Sequence, residues 1–400
     1  MQLRERLAHE GRTLLGADRA LTPTDIALLR ERFPQVMLSI SDPTLDELVE
    51  FEDLSRQRET AETIQEQLSE VLGKMARLFA ERKTLRPVDL SPFRRVIEDV
   101  VGYLAREPVS TALLTPAAGP ESFLRQHGAN VVFLSLLLAE SARDYVVEER
   151  ARQTRLRYRD SRAMLNPVTL GIGTLFMDIG LLPLAGLYAS EAPLTSEECW
   201  QVRQHPLTAV DLLPRGFPSH GRLIVRCHHE NCCGRGYPKH MPPDSLHVFT
   251  RIARIADAFD AGTSAYVFQE ARSPVRALWE MTAGPHRRLY DNLLMQEFGR
   301  LVQPFPIGTK VRLVDGRYAV VVRHNRPCPF QPYVLIAFDQ ENRRLPASQL
   351  EGLSALNTRA EVRAASWGDE DLTYLQRSDA TPAQQPSSGQ FTTMFEAHYP

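Results

Sequence analysis

Five segments between residues 90 and 302 carry an apolar face at 3.6-residue spacing: "SPFRRVIEDVVGYLA", "ESFLRQHGANVVFLSLLLAESA", "LTSEECWQVRQHPLTAVDLL", "DSLHVFTRIARIADAFDAGTSAY" and "HRRLYDNLLMQEFGRLV". No strand-like alternation lasts between them. Each stripe must be buried against another element, so the centre of the chain is committed to a helical bundle with connecting loops.

The texture differs on both sides of this bundle. Residues 1–43 read as a small mixed segment, with a helix in "ALTPTDIALLRERFP" capped by Thr22 and a short strand in "VMLSI" (36–40). A polar helical stretch over 44–82 opens a helical region that runs to 115. A helix of that length either pairs with a second copy of the chain as a homodimer or packs on its own domain. The bundle proper occupies 116–303. From 304 to 354, "GTKVRLVDGRYAVVVRHN" and "PYVLIAFDQENRRLP" predict a small β-rich module with a hairpin at Asp315-Gly316. Residues 355–400, including "SDATPAQQPSSGQ", read as a disordered tail. The expected fold class is mainly α: a helical bundle, a helical N-terminal region and a small β-rich C-terminal appendix.

Composition narrows the function classes. Net charge is −2, so no global field recruits DNA or an anionic membrane. The apolar run "VVFLSLLLA" (131–139) is about half of what a membrane span needs. The charged N-terminus lacks the core of a secretory signal. With that, five cysteines point to reduced thiols and a cytoplasmic location. The arginine-rich run "EERARQTRLRYRDSR" (148–162) reads as a solvated helical extension or as a phosphate-facing patch.

Against this ordinary background, several histidines and acids stand out. His127 lies on an apolar helix. "FMDIG" places Asp178 in an otherwise apolar helix, where an acid is costly unless paired or coordinated. His205 precedes a proline. "CHHE" holds His228 and His229, and "RIADAFDA" holds Asp257 and Asp260 within one helical turn. Inward histidines and carboxylates from different helices are how a bundle builds a polynuclear metal site. The thiols of "RCHHENCCGRGYP" lack the paired C-x₂-C spacing of structural zinc, so a zinc knuckle or redox pair is the weaker reading.

In order and context these motifs resemble the HD-GYP family, the HD-type phosphohydrolases that hydrolyse cyclic di-GMP in bacteria. The family pattern runs from a first helix histidine through HDIGK, H-P and HHExxDGxGYP to a helix with aD-x-fDA. This chain has His127, "MDIGL" at 177–181, "HP" at 205–206, "HHENCCGRGYP" at 228–238 and "ADAFDA" at 256–261. The resemblance covers roughly residues 120–300. It implies an HD-type bundle holding iron or manganese. One ion would use His127, Asp178 and Asp257, and a second Asp178, His205, His228 and His229. It also implies catalytic parts for Asp178 and for Asp260 as a proton handler. The loop of Gly234, Gly236, Tyr237 and Pro238 would be a surface for a diguanylate cyclase domain.

Departures from the family pattern fall at chemically central places. Met177 replaces the HD histidine, Leu181 the lysine and Cys233 the aspartate of the long motif; Phe123 stands where some members carry a further glutamate. The interval between His127 and Asp178 is also longer than usual. Thioether sulfur is a weak ligand for iron or manganese. Each loss removes roughly 10²-fold or more of transition-state stabilisation. The expected cofactor is therefore one or two divalent ions, or none if the site is dead. The leading expectation is a signalling protein with a degenerate site that binds cyclic di-GMP or a related nucleotide and hydrolyses it weakly or not at all. An active phosphodiesterase using the retained half-site is the alternative, and a purely structural dimerisation protein the last.

Overall fold

The computed structural model describes residues 55–106, 120–154, 166–188, 194–264 and 271–376 continuously, with short stretches before 55. The side chains of 55–62, 120–123 and 153–154, among them Phe123, lie outside this description, as do 377–400. The chain divides into two compact units, one built on Ser55–Leu301 and the other on Met1–Leu54 together with Val302–Gln384.

The Ser55–Leu301 unit is helical. Its helices are α1 (Ser55–Arg82), α2 (Ser91–Arg106), α3 (Pro120–Ser141), α4 (Arg143–Thr154), α5 (Pro167–Leu175), α6 (Ser196–Arg203), α7 (His205–Leu212), α8 (Ser219–Cys227), α9 (Val248–Thr263), α10 (Pro274–Thr282) and α11 (Asn292–Leu301). At the centre lies α3, buried without a break from His127 to Leu138, with α1, α5 and α9 packed along it. The stripe Ile64, Leu68, Val71, Met75 and Phe79 of α1 is buried within this chain. At ~1.5–3 kcal/mol per buried apolar side chain, that face belongs to the bundle core rather than to a second copy. The N-terminal helices therefore share the bundle's core, and the boundary expected at 115/116 is not an edge of the unit.

Three sequence expectations change in detail. The helix expected from residue 44 is described from Ser55. The stretch 194–213 is two helices, broken at Gln204, because Pro206 has no N–H to continue the ladder and instead opens α7. Asp178 does not sit inside a helix. The α5 helix ends at Leu175, and Asp178 occupies the bend before a 3-10 turn, Ile179–Leu184. Pro167–Leu187 is apolar enough to cross a membrane by length and hydropathy, but 67% of its most apolar window is buried in the bundle and it carries Asp178.

The second unit is built on a six-stranded antiparallel sheet. Its spatial order is Glu370–Asp371, Ala364–Trp367, Lys310–Leu313, Tyr318–Arg323, Tyr333–Phe338 and Ser354–Ala355. The hairpin at Asp315-Gly316 forms as its turn chemistry requires, with Gly316 at φ +91. Val320, Ala337 and Phe338 centre its core, joined by Leu48 and Ile307. The sheet continues past 354: two of its strands and a closing 3-10 turn, Thr373–Gln376, fall in what reads from sequence as a disordered tail. Near the N-terminus, Thr22 accepts from the Asp25 N–H at 3.1 Å while its own N–H donates back to Asp25, the expected capping. Of "VMLSI", residues 36–39 lie outside the described residues; Ile40–Ser41 pairs with Gln2–Leu3.

Candidate metal centre

Five parts of the bundle converge on one point. α3 supplies His127, the bend after α5 supplies Asp178, and the first residue of α7 is His205. His228 and His229 follow the last turn of α8, and α9 supplies Asp257. Two groups of ligand atoms result: Asp178, His205, His228 and His229 in one, and His127, Asp178 and Asp257 in the other, with the atoms of each group within 4.8 Å of one another. They are the two sets implied by the motifs, with Asp178 common to both.

Gly180 makes this convergence possible. A Cβ there would lie 2.0 Å from the His205 carbonyl oxygen and 2.8 Å from the Ala209 nitrogen. Only glycine lets the 3-10 turn press onto the first turn of α7 and bring Asp178 to His205.

Ring-nitrogen partners show what this group is built for. His205 Nδ1 lies 2.7 Å from the Val202 carbonyl and His228 Nδ1 3.0 Å from the Val225 carbonyl. A carbonyl only accepts, so both Nδ1 atoms carry hydrogen and both neutral rings present a lone pair at Nε2. Those two Nε2 atoms are 3.0 Å apart, and Asp178 Oδ1 is 3.4 and 3.5 Å from them. With both Nε2 atoms bare, three acceptors would face one another, so the arrangement calls for a proton or a cation between them. Asp178 Oδ2 is buried with no hydrogen-bond partner among the described residues. Imidazoles anchored through Nδ1 to backbone, a shared carboxylate and an orphaned carboxylate oxygen together fit a divalent ion.

The second group is arranged differently. His127 Nδ1 donates to Asp260 Oδ2 at 2.7 Å, and its Nε2 lies 3.2 Å from Asp257 Oδ1 and 3.7 Å from Asp178 Oδ2. Burial alone would lower the His127 pKa, but hydrogen bonds to Asp257 and Asp260 hold it well above the ordinary value. Asp178, for which burial works in the opposite sense, is held well below the ordinary carboxylate range by the His205, His228 and His127 imidazoles. Asp257 is lowered too, through His127 and Arg254 against its burial.

Asp260 departs from its expected part. It is buried, with Oδ2 on His127 and Oδ1 accepting from Asn130 Nδ2 at 2.7 Å. Both oxygens are engaged, so its geometry suits orienting His127, not handling a proton on substrate. Gln65 of α1 donates to Asn130 Oδ1 at 3.2 Å and extends this network to the N-terminal helix. Motif reading misses Gln65 and Asn130, because nothing in their residue types announces a site. It also misses Arg254, whose Nη1 lies 3.1 Å from His229 Nδ1 and 3.3 Å from Asp257 Oδ2. Its place one helical turn before Asp257 gives the shared face of α9 but not the shared partner.

The Gly-Tyr-Pro loop is packed inward. Tyr237 is 4% exposed and stacks on His229, with ring centroids 4.6 Å apart at 17°. Gly236 is buried, and a Cβ there would come within 2.4 Å of the His229 carbonyl oxygen and of Glu230 Cα. Glu230 accepts from the N–H groups of Lys239 and Met241, tying the loop together. Gly236 and Tyr237 therefore hold His229 in place and are not available as a docking surface; the exposed residues of the loop are Cys233, Arg235, Lys239 and His240. Cys233, at the altered motif position, bonds to Asn231 Oδ1 and stands on the exterior. Leu181 points into an apolar cluster with Val202, Leu124, Leu184, Leu187 and Leu194. Met177 is fully buried beside Asp178. Of the arginine-rich run, Arg150 lies 2.8 Å from His220 Nε2 and Arg152 pairs with Glu149, while 155–162 fall outside the described residues.

Residues 137–294, which hold Asp178, His205, His228, His229 and Asp257 of this convergence, match the family model described as HD domain. That match spans 158 of the 400 residues, and the motifs within and around it resemble those of the HD-GYP family. It is 21% identical over 271 residues to the cyclic di-GMP phosphodiesterase PA4108 of Pseudomonas aeruginosa, a match covering 66% of this chain and 60% of the relative. It is 35% identical over 101 residues to the cyclic di-GMP phosphodiesterase response regulator RpfG of Xanthomonas campestris pv. campestris, covering 24% and 26%. The chain thus spans at most about 60% of these curated relatives. Among solved structures it is similar to Bd1817, an HDG"Y"P protein from Bdellovibrio bacteriovorus, with a TM-score of 0.41 and 14% identity over 74% of this chain and 94% of that one.

Proposed function

We propose that this chain is a signalling protein whose bundle binds a divalent ion, iron or manganese, and a phosphodiester nucleotide of the cyclic di-GMP type, with hydrolysis weak or absent. The observation that carries the metal is the meeting of His205 Nε2, His228 Nε2 and Asp178 Oδ1 within 3.0–3.5 Å, an arrangement that calls for a proton or a cation between them. The names of the two curated relatives supply the nucleotide class.

A bound divalent ion supplies Lewis acidity and an acidified water for attack on phosphorus. The protein's own residues do the rest. His205 and His228 are held by backbone carbonyls, and Asp260 holds His127. Two features support slow turnover. Met177 offers no nitrogen to the His127, Asp178 and Asp257 group. Leu181 offers no cation to a phosphate and instead fills an apolar cluster.

The test is turnover and binding of cyclic di-GMP by protein purified without oxygen and supplied with iron or manganese, beside a Met177→His variant. Nucleotide binding without wild-type turnover, with hydrolysis gained in the variant, is the expected result. Rapid wild-type turnover would make the chain an active phosphodiesterase working from the retained group. Absence of nucleotide binding in both proteins would remove the nucleotide from this reading. A diguanylate cyclase domain as partner is a separate part of the proposal, and it would have to dock on exposed Arg235, Lys239 or His240.

A further inference from the structure

Arg254 belongs to none of the motifs, yet it lies inside the site. It is 3% exposed, on α9, with Nη1 on His229 Nδ1 and Asp257 Oδ2. A guanidinium only donates, so His229 accepts at Nδ1. A neutral imidazole that accepts at Nδ1 carries its hydrogen on Nε2 and has no lone pair left for an ion. Arg254 therefore occupies one member of each ligand group: His229 of the first, and a carboxylate oxygen of Asp257 of the second.

Charge balance leads to the same place. Asp178, Asp257 and Asp260 bring three carboxylates to the centre. Glu230, also buried, is spent on the amides of its own loop. One guanidinium and one divalent ion bring three positive charges to these three carboxylates. A second divalent ion would leave two excess positive charges in a low-dielectric space, where repulsion is large.

Resting on the metal-site reading above, we propose that Arg254 is a resident cation standing in for one ion of the pair, so that the chain loads a single divalent ion, at Asp178, His205 and His228. With Met177 the His127 group has lost a ligand, and with Arg254 it has gained the charge an ion would bring.

The experiment counts metal in the full chain, stripped by chelator, reloaded without oxygen with excess Mn(II) and freed of unbound ion. Wild type, Arg254→Ala, Arg254→Met and His228→Ala are compared by elemental analysis and by electron paramagnetic resonance. One ion per chain with an uncoupled Mn(II) spectrum is expected for wild type. Two ions with a spin-coupled spectrum are expected once Arg254 is removed. Arg254→Met keeps the aliphatic stem, so the count is read on a folded chain if the alanine variant unfolds. Two ions in wild type, or an unchanged count in the folded Arg254 variants, overturns the proposal. His228→Ala separates the two failures. If it keeps the wild-type count, the metal-site assignment itself is wrong; if it loses the ion while Arg254 variants stay at one, only the role of Arg254 is wrong.

Discussion

Gly180→Ala tests whether backbone contact sets the metal centre. The added Cβ would lie 2.0 Å from the His205 carbonyl oxygen, where ordinary contact begins at 3.4 Å, so the 3-10 turn and α7 must part by the difference, about 1.4 Å. The acceptors they position are only 3.0–3.5 Å apart. Such a separation withdraws Asp178 from His205. Overpacking of this kind costs about 1–3 kcal/mol. For a unit of this size that is a fall of roughly 2–12 °C in melting temperature. At 100 times its Kd a bound ion stabilises the native state by about 2.7 kcal/mol. Thermal melts with chelator and with a fixed excess of Mn(II) read both effects. The variant is expected to melt lower in chelator and to lose most of the gain from Mn(II). Gly186→Ala is the control, since its Cβ would meet nothing within 4 Å. An unchanged melt in chelator would refute the close approach. A lowered melt with the Mn(II) gain intact would refute the claim that this contact shapes the site.

Three further outcomes follow from named contacts. Asp260→Asn weakens the orienting bond to His127 Nδ1; with the ion on the His205 and His228 side, Mn(II) affinity read by calorimetry should change by less than about tenfold, and a fall of about 10–100-fold would place the ion on His127 instead. Tyr237→Ala removes a buried ring stacked on His229 and should cost about 3–5 kcal/mol in denaturant unfolding, whereas near-neutral stability would return the ring to a surface role. In the metal-free chain, the raised pKa of His127 contributes stability that is complete below its unfolded value of about 6.5 and is lost as pH rises through the folded one. The lowered carboxyls of Asp178 and Asp257 contribute above about pH 4, and that part is lost on acidification. Melting temperature in chelator should therefore decline above about pH 6.5, and His127→Gln should flatten that decline; an equal decline in the variant would sink the assignment.

The candidate ligands stood out in sequence because metal chemistry restricts residue type: imidazole and carboxylate recur at fixed spacing whatever surrounds them. The break at Gln204 was legible in Pro206, and the 315–316 hairpin in its Asp-Gly turn. What a ligand's neighbours do was not legible, because it depends on which helix faces arrive together. Asp260 reads as a free acid until Asn130 on α3 and Gln65 on α1 close around it. Tyr237 reads as a loop tip until the loop folds its ring onto His229. The strands beyond 354 are two to four residues long, too short for alternation to register. Arg254 shows the same limit most sharply. A motif is read for what it requires, so the change at Met177 registers as a ligand lost, while a gain one turn before Asp257 goes unseen. The first change alters no charge, since a ligating imidazole and a thioether are both neutral, and the second adds one positive charge. Losing an imidazole weakens the hold on an ion, and a guanidinium bonded to Asp257 removes part of the need for it. The alteration of this site is then better described as an exchange of cations than as decay, and counting motif letters alone overstates what the chain has given up.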